Sequence, residues 1–199
     1  MKRLHRKDLF TWSWYYEPLH IDFNGLLWQR PEGNVIVDPV ALGASDVKHL
    51  AELGGAAWVL LTNSDHVRAA REVVALTGAR LIGPAAERDR FPVACDRWLA
   101  DGDEPFAGLV ARALDGSKTD GELALVLDET TVVFGDLVRS HRADTLALLR
   151  PEQGLRDRAR ALASVQRLVE LHPRIEHVLV GDGWCTFRHG RALLATLGS

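Results

Sequence analysis

Ala57-Trp58-Val59-Leu60-Leu61-Thr62-Asn63-Ser64-Asp65-His66-Val67-Arg68 is an apolar run that closes in a polar turn. Gly54-Gly55 precedes it and Thr62-Asn63-Ser64 ends it, so the run reads as a fully buried strand. Ser64 is a good helix cap. The residues after it place Ala69, Ala70, Val73, Val74 and Leu76 on one apolar face, with Arg68, Arg71 and Glu72 largely outside it. Strand, short polar loop and helix start together bring Asp65 and His66 to the end of a sheet, where α/β folds commonly carry their sites.

Downstream, Arg80-Leu81-Ile82-Gly83-Pro84 forms a second strand, which completes a βαβ unit and predicts a mixed or parallel sheet in this part. Upstream, residues 45–53 have helical spacing through Val47, Leu50 and Leu53, with Ser45 as cap and Gly54-Gly55 as stop. Residues 21–28 and 34–37 flank the turn-rich Gln29-Arg30-Pro31-Glu32-Gly33 and predict a hairpin. The aromatics of Phe10-Thr11-Trp12-Ser13-Trp14-Tyr15-Tyr16 suit a sheet edge or a homodimer contact first, and a hydrophobic wall for a substrate second. From residue 107 the strands follow one another without helices. Residues 107–114, 122–127 and 131–134 predict an antiparallel meander. Residues 155–172, with Leu162, Val165, Leu168, Val169 and Leu171 at helical spacing and Pro173 as stop, predict a covering helix.

A chain of 199 residues, 47% of them hydrophobic, can bury one sizeable core, and no linker divides it, so a single domain over residues 1–199 is expected. The net charge of -3, with both signs interspersed, argues against a nucleic-acid-binding stripe and for a small-molecule partner. Cys95 and Cys185 lack CxxC spacing, which argues against a disulfide framework or a thiolate zinc site and fits a reducing cytosol. The basic start has no apolar run behind it, and no stretch reaches membrane-spanning length, so a cytoplasmic protein with no membrane partner is expected.

Four loops or strand ends carry polar residues in order: Asn63-Ser64-Asp65-His66, Ser117-Lys118-Thr119-Asp120-Gly121, Gly135-Asp136 after Val132-Val133-Phe134, and Gly181-Asp182-Gly183 after His177-Val178-Leu179-Val180. Asn24 and Asp38-Pro39 precede them on the hairpin. This series resembles the metallo-β-lactamase superfamily, in which a His-x-His-x-Asp-His signature, a Pro-Gly-His turn, a strand-end aspartate and a Gly-His-Gly follow in the same order. The resemblance covers roughly residues 24–183 and implies an α/β fold (α+β by some schemes), a four-layer αββα sandwich. Counted back from Asp65-His66, the two earlier histidine positions hold Leu61 and Asn63, and the histidine of the Pro-Gly-His turn falls on Lys118. Asp182 stands in place of the last histidine. The resemblance therefore implies that one of the family's two metal positions has lost its ligands. It offers the other Asp65, His66, Asp136 and Asp182.

Three carboxylates converging in a cleft need compensation. One divalent ion together with Lys118 supplies it, and so does a metal-free network in which Lys118 and a protonated His66 pair with the aspartates. Oxygen ligands with one imidazole suit zinc, manganese, ferrous iron or magnesium. The implied activity is metal-dependent hydrolysis of an ester, thioester or phosphoester at a mononuclear site, with Asp65 orienting the attacking water and Lys118 steadying the developing oxyanion. Arg139 and His141 are candidates to meet an anionic substrate, although general exposure favours surface-loop charges for both. The alternative is a non-catalytic protein that binds a small molecule or a protein partner in the same cleft. Asp38 reads equally as a strand-end turn or as a group supporting the ligands from behind. If Lys118 replaces an ion, its ammonium lies within hydrogen-bonding reach of Asp136.

Overall fold

Alternation along the strands sorts the apolar side chains into three packing layers. The structure, a computed structural model, describes residues 1–198. Its first sheet contains β1 (Lys2–Arg3), β2 (Leu9–Tyr16), β3 (Ile21–Trp28), β4 (Val35–Val37), β5 (Trp58–Leu60), β6 (Arg80–Pro84) and β7 (Arg97–Leu99), in that spatial order. β1 to β4 pair antiparallel, so the predicted hairpin is β3–β4. β4 to β7 pair parallel, joined by α1 (Ala44–Glu52) and α2 (Ala70–Thr77) as the βαβ reading requires. The second sheet is the meander β8 (Leu109–Ala113), β9 (Leu123–Leu127), β10 (Thr131–Phe134). After a two-stranded ribbon, β11 (Val138–Arg139) with β12 (Ala147–Leu148), and the helix α3 (Arg158–Leu171), the strand β13 (His177–Val180) joins that sheet parallel to β10. α4 (Gly190–Ala195) closes the chain.

Val35, Val37 and Leu60 of the first sheet face Leu123, Leu125, Leu127, Val133 and Leu179 of the second. The residues between them along the strands point the other way, as a period of two demands. Ile36 and Val59 pack outward under Leu50 of α1 and Val73 of α2. Val126, Val132, Phe134, Val178 and Val180 pack outward under Ala161, Val165 and Leu168 of α3. The layers are therefore helix, sheet, sheet, helix, the αββα sandwich that the resemblance implies. Each buried Leu or Val in these layers contributes roughly 1.5–3 kcal/mol. No helix of the described residues is long and apolar enough to cross a membrane.

Two local expectations are corrected. The helix expected from Ser64 begins only at Ala70, because Asn63 rather than Ser64 caps the turn: its side-chain oxygen accepts from the backbone N–H of Asp65 and of His66 at 2.9 and 3.1 Å. The result is a tight 3-10 turn, Ser64–Val67, and a break at Arg68 with φ 35°. α1 is preceded by Gly43, not Ser45, since Asp46 folds its carboxylate back onto the Gly43 N–H at 3.3 Å. β1 covers only Phe10 and Thr11 of the aromatic strand β2, so residues 12–16 run along the edge of the sheet as expected; Phe10 and Trp12 are buried while Trp14 and Tyr15 are exposed.

Candidate functional site

The ends of β4, β5, β10 and β13 meet at one rim of the sandwich. β10 and β13 run parallel with Phe134 opposite Val180, so the next residues, Gly135 and Gly181, and then Asp136 and Asp182, leave the sheet side by side. The two glycines make the approach possible. A Cβ on Gly135 would lie 2.4 Å from Thr62 Oγ1, and one on Gly181 would lie 2.7 Å from His66 Cε1. Asn24 of β3 ties the end of β13 to the first sheet, donating its side-chain N–H groups to the carbonyls of Val180 and Gly183 at 2.9 and 2.8 Å.

From the first sheet, Asp38 follows β4 in a left-handed conformation (φ 46°) that Asp tolerates better than most residues. Its carboxylate accepts from the Thr62 N–H at 2.8 Å, the Thr62 hydroxyl at 2.6 Å and His66 Nδ1 at 2.8 Å. Asp38 is thus both a strand-end turn and the support that fixes the imidazole, with the proton on Nδ1. His66 Nε2 then faces the floor, 3.4 Å from Asp136 Oδ2. Asn63 donates to the same oxygen at 3.1 Å. The ligand atoms of His66, Asp136 and Asp182 all lie within 4.8 Å of one another, and all three residues are buried.

Three more cations converge on the aspartates. Lys118 Nζ bridges Asp136 Oδ1 at 3.0 Å and Asp65 Oδ2 at 2.9 Å. Arg139 Nη2 bridges Asp182 Oδ2 at 2.8 Å and Asp136 Oδ1 at 3.3 Å. Arg68 Nη2 donates to Asp182 Oδ1 at 2.8 Å and lies 2.9 Å from His66 Nε2. The two contacts of Nε2 exclude one another: arginine can only donate and needs a lone pair there, whereas Asp136 needs a proton. Burial and Arg68 push the His66 pKa down, but Asp136 and Asp38 outweigh them and raise it to about 10. We therefore take the ring as a cation at neutral pH, bonded to both carboxylates, with Arg68 held by Asp182. Burial would likewise raise the Asp136 carboxyl, but His66 and Lys118 hold it well below the usual carboxylate range. Lys118 itself is raised, since Asp136 and Asp65 overcome its burial.

Of the residues singled out in the sequence, His66, Asp136, Asp182, Lys118 and Asp65 come together. Asp65 joins only through Lys118 and keeps a half-exposed side chain. Arg139 departs from the surface expectation: it is 4% exposed, clamped beneath the two aspartates. His141 stays exposed on the neighbouring loop. Leu61 is buried in the apolar layer under α1 and α2. Arg68 was outside the expected set, because a helix starting at Ser64 turns it toward solvent. The signal for it is the charge count, since three converging aspartates ask for more cations than Lys118 and His66. Above the floor opens a cavity of about 870 Å³ whose walls are mainly apolar.

Layers, strand order and strand-end site define a metallo-β-lactamase fold. The family model of the metallo-beta-lactamase superfamily matches residues 1–199, and the chain belongs to that superfamily. Solved structures of the same fold include metallo-β-lactamase FIM-1 from Pseudomonas aeruginosa in its mono-zinc form, at 15% identity and TM-score 0.73, covering 95% of this chain and 89% of that one. A metallo-β-lactamase from Pontibacter korlensis aligns at 16% identity and TM-score 0.74 over 98% and 96% of the two chains. One from Erythrobacter litoralis aligns at 13% and 0.72 over 98% and 90%. The fold implies a potential for metal-dependent hydrolysis, and His66, Asp136 and Asp182 form a candidate metal-binding triad.

The donor set around that triad nevertheless fits an ion poorly. Each of its ligand groups already has a cationic partner or is itself a cation. Asp38, Asp65, Asp136 and Asp182 are balanced by Lys118, Arg68, Arg139 and the His66 cation. A divalent ion would add two charges to a closed balance, and it would require the imidazole to lose a proton and two guanidinium groups to withdraw.

Proposed function

We propose that this chain is a metal-independent member of its superfamily that binds a small molecule in the cleft, with salt bridges standing where the family's ions would be. The observation that carries this reading is the set of cations on the triad's own ligand atoms, each within 3.4 Å. Moving the family signature two residues along the loop, onto Asn63, Asp65, Val67 and Arg68, explains the pairing. Asn63 and Asp65 then stand at the two histidines that share an ion with the Lys118 position, and Lys118 contacts Asp65 and Asp136. Arg68 then stands at the signature's last histidine, which shares the other ion with the Asp182 position, and Arg68 contacts Asp182. Three pairs that would meet through an ion, Lys118–Asp65, Lys118–Asp136 and Arg68–Asp182, meet directly as ion pairs instead.

The closeness of His66, Asp136 and Asp182 favours a second reading, a mononuclear zinc, manganese or iron hydrolase of an ester, thioester or phosphoester. Elemental analysis of protein purified without chelator separates the two. Metal well below one equivalent, with a melting temperature unmoved by zinc or manganese, is expected; one tightly held ion per chain overturns the metal-independent reading. Lys118→His combined with Arg68→His is expected to restore zinc affinity, as a remodelled rather than lost site should.

A further inference from the structure

The floor and the walls of the cavity differ in what they leave unsatisfied. On the floor, the oxygens of Asp136 and Asp182 are all engaged by protein donors. Asp136 Oδ1 is met by Lys118 and Arg139 and Oδ2 by Asn63 and His66, while the Asp182 oxygens are met by Arg68 and Arg139. The donors are not all engaged. Arg68 Nη1 is shielded from solvent and has no acceptor, and Lys118 has three N–H groups for its two carboxylate partners. A complementary ligand must bring acceptor atoms, and an anion gains most from two cations. Apart from Glu72 and Gln153, the walls are hydrocarbon and aromatic: Phe23, Leu42 and Val73, with Trp14, Leu19 and Leu76. The last three are 52%, 45% and 51% exposed although they line the cavity, so its mouth is apolar as well. A volume near 870 Å³ is ample for a ligand with a long apolar body.

We propose that the cleft binds an amphipathic monoanion, an aliphatic carboxylate whose head is held by Lys118 and Arg68 and whose tail lies among Trp14, Phe23, Leu42, Val73 and Leu76. This deepens the metal-independent reading and rests on it. The ligand carboxylate takes the spare Lys118 N–H directly and meets Arg68 Nη1 once the guanidinium turns from its place over the Phe23 ring, 4.6 Å away, so the added charge faces the two cations nearest the opening. The side chains of Lys118 and Arg68 retain 25% and 15% exposure, against 5% for Arg139.

The test is a calorimetric titration of decanoate, decan-1-ol and decyltrimethylammonium, which share one tail, into protein of measured metal content. Decanoate is expected to bind at least about tenfold more tightly than decan-1-ol, and the cation not at all. Leu76→Asp, at an exposed helix position, is expected to weaken decanoate at least about tenfold with an unchanged melting temperature. Lys118→Gln is expected to bring decanoate down to the level of decan-1-ol while leaving the alcohol unaffected. Equal affinity for acid and alcohol, no decanoate binding at about 1 mM, or indifference to Leu76→Asp overturns the proposal and leaves the metal-independent reading standing. One zinc per chain overturns that reading, and the proposal with it, whatever the amphiphiles do.

Discussion

Asp136 and Glu122 are carboxylates buried to the same degree, one at the cleft floor and one just behind it, and their environments drive them in opposite directions. Asp136 is 1% exposed and surrounded by Lys118, Arg139 and His66. Glu122 is 0% exposed and, among the described residues, receives only neutral donors, the Ser117 hydroxyl and the Leu137 N–H at 2.6 Å. Asp136 is held well below the usual range, whereas burial, and then the Asp136 charge, push Glu122 up to about 7. Burial costs both groups alike; the presence of a cation decides which of them keeps its charge.

The largest expected effect comes from breaking the paired side. Asp136→Ala leaves Lys118, Arg139 and His66 facing one another with a buried carboxylate removed, and should cost about 3–5 kcal/mol, measured as the urea midpoint at pH 7. A loss below about 1 kcal/mol would mean that the cations relax into solvent and that the floor is a surface network.

The unpaired side is next in size and appears as a pH dependence. Glu122 has a folded-state pKa raised from 4.5 to about 7, so its contribution is fully present below pH 4.5 and is lost as pH rises through 7. His66, raised from 6.5 to about 10, likewise contributes below pH 6.5 and loses its share as pH climbs through 10. Asp136 works the other way, its share present above 3.8 and lost in acid. Stability should therefore peak in mildly acidic solution. Glu122→Gln should flatten the fall between pH 4.5 and 7, by up to about 3 kcal/mol at its alkaline end. An unchanged slope would show that Glu122 has a cationic partner after all.

The same contrast marks how far the sequence can be read. The sandwich is legible because the continuous apolar run Leu123, Ala124, Leu125, Val126 and Leu127 marks a strand covered on both faces, and helical spacing in residues 155–172 marks a helix with one apolar face. Asp136 and Asp182 are legible because each follows a buried strand and one glycine. Arg68 and Arg139 are not. Periodicity assumes a helix start, and the Asn63 cap moves that start by several residues, turning Arg68 from the solvent side to the floor. Arg139 is polar in a loop-like stretch, and only the docking of the ribbon against Asp182 buries it. Which charges end up dry is decided by tertiary contacts that local pattern does not encode.

The smallest expected effect comes from a pair whose geometry matches the floor and whose surroundings do not. Arg167 meets Asp101 with two hydrogen bonds, at 2.9 and 3.1 Å, close to the 2.8 Å between Arg139 and Asp182. Its side chains are 47% and 39% exposed, against 5% and 4% for the floor pair. Arg167 holds the Asp101 carboxyl below its ordinary range, but water screens that attraction, and Arg167 also donates to the Ala113 carbonyl. Arg167→Ala should therefore cost no more than about 0.5–1 kcal/mol. Raising the salt to about 1 M, where the screening length falls to about 3 Å, should erase most of that loss and leave the loss in Asp136→Ala nearly intact. Measuring both urea midpoints at low and high salt decides the matter: equal salt sensitivity would mean that distance alone sets the worth of these pairs and that burial of the floor adds nothing.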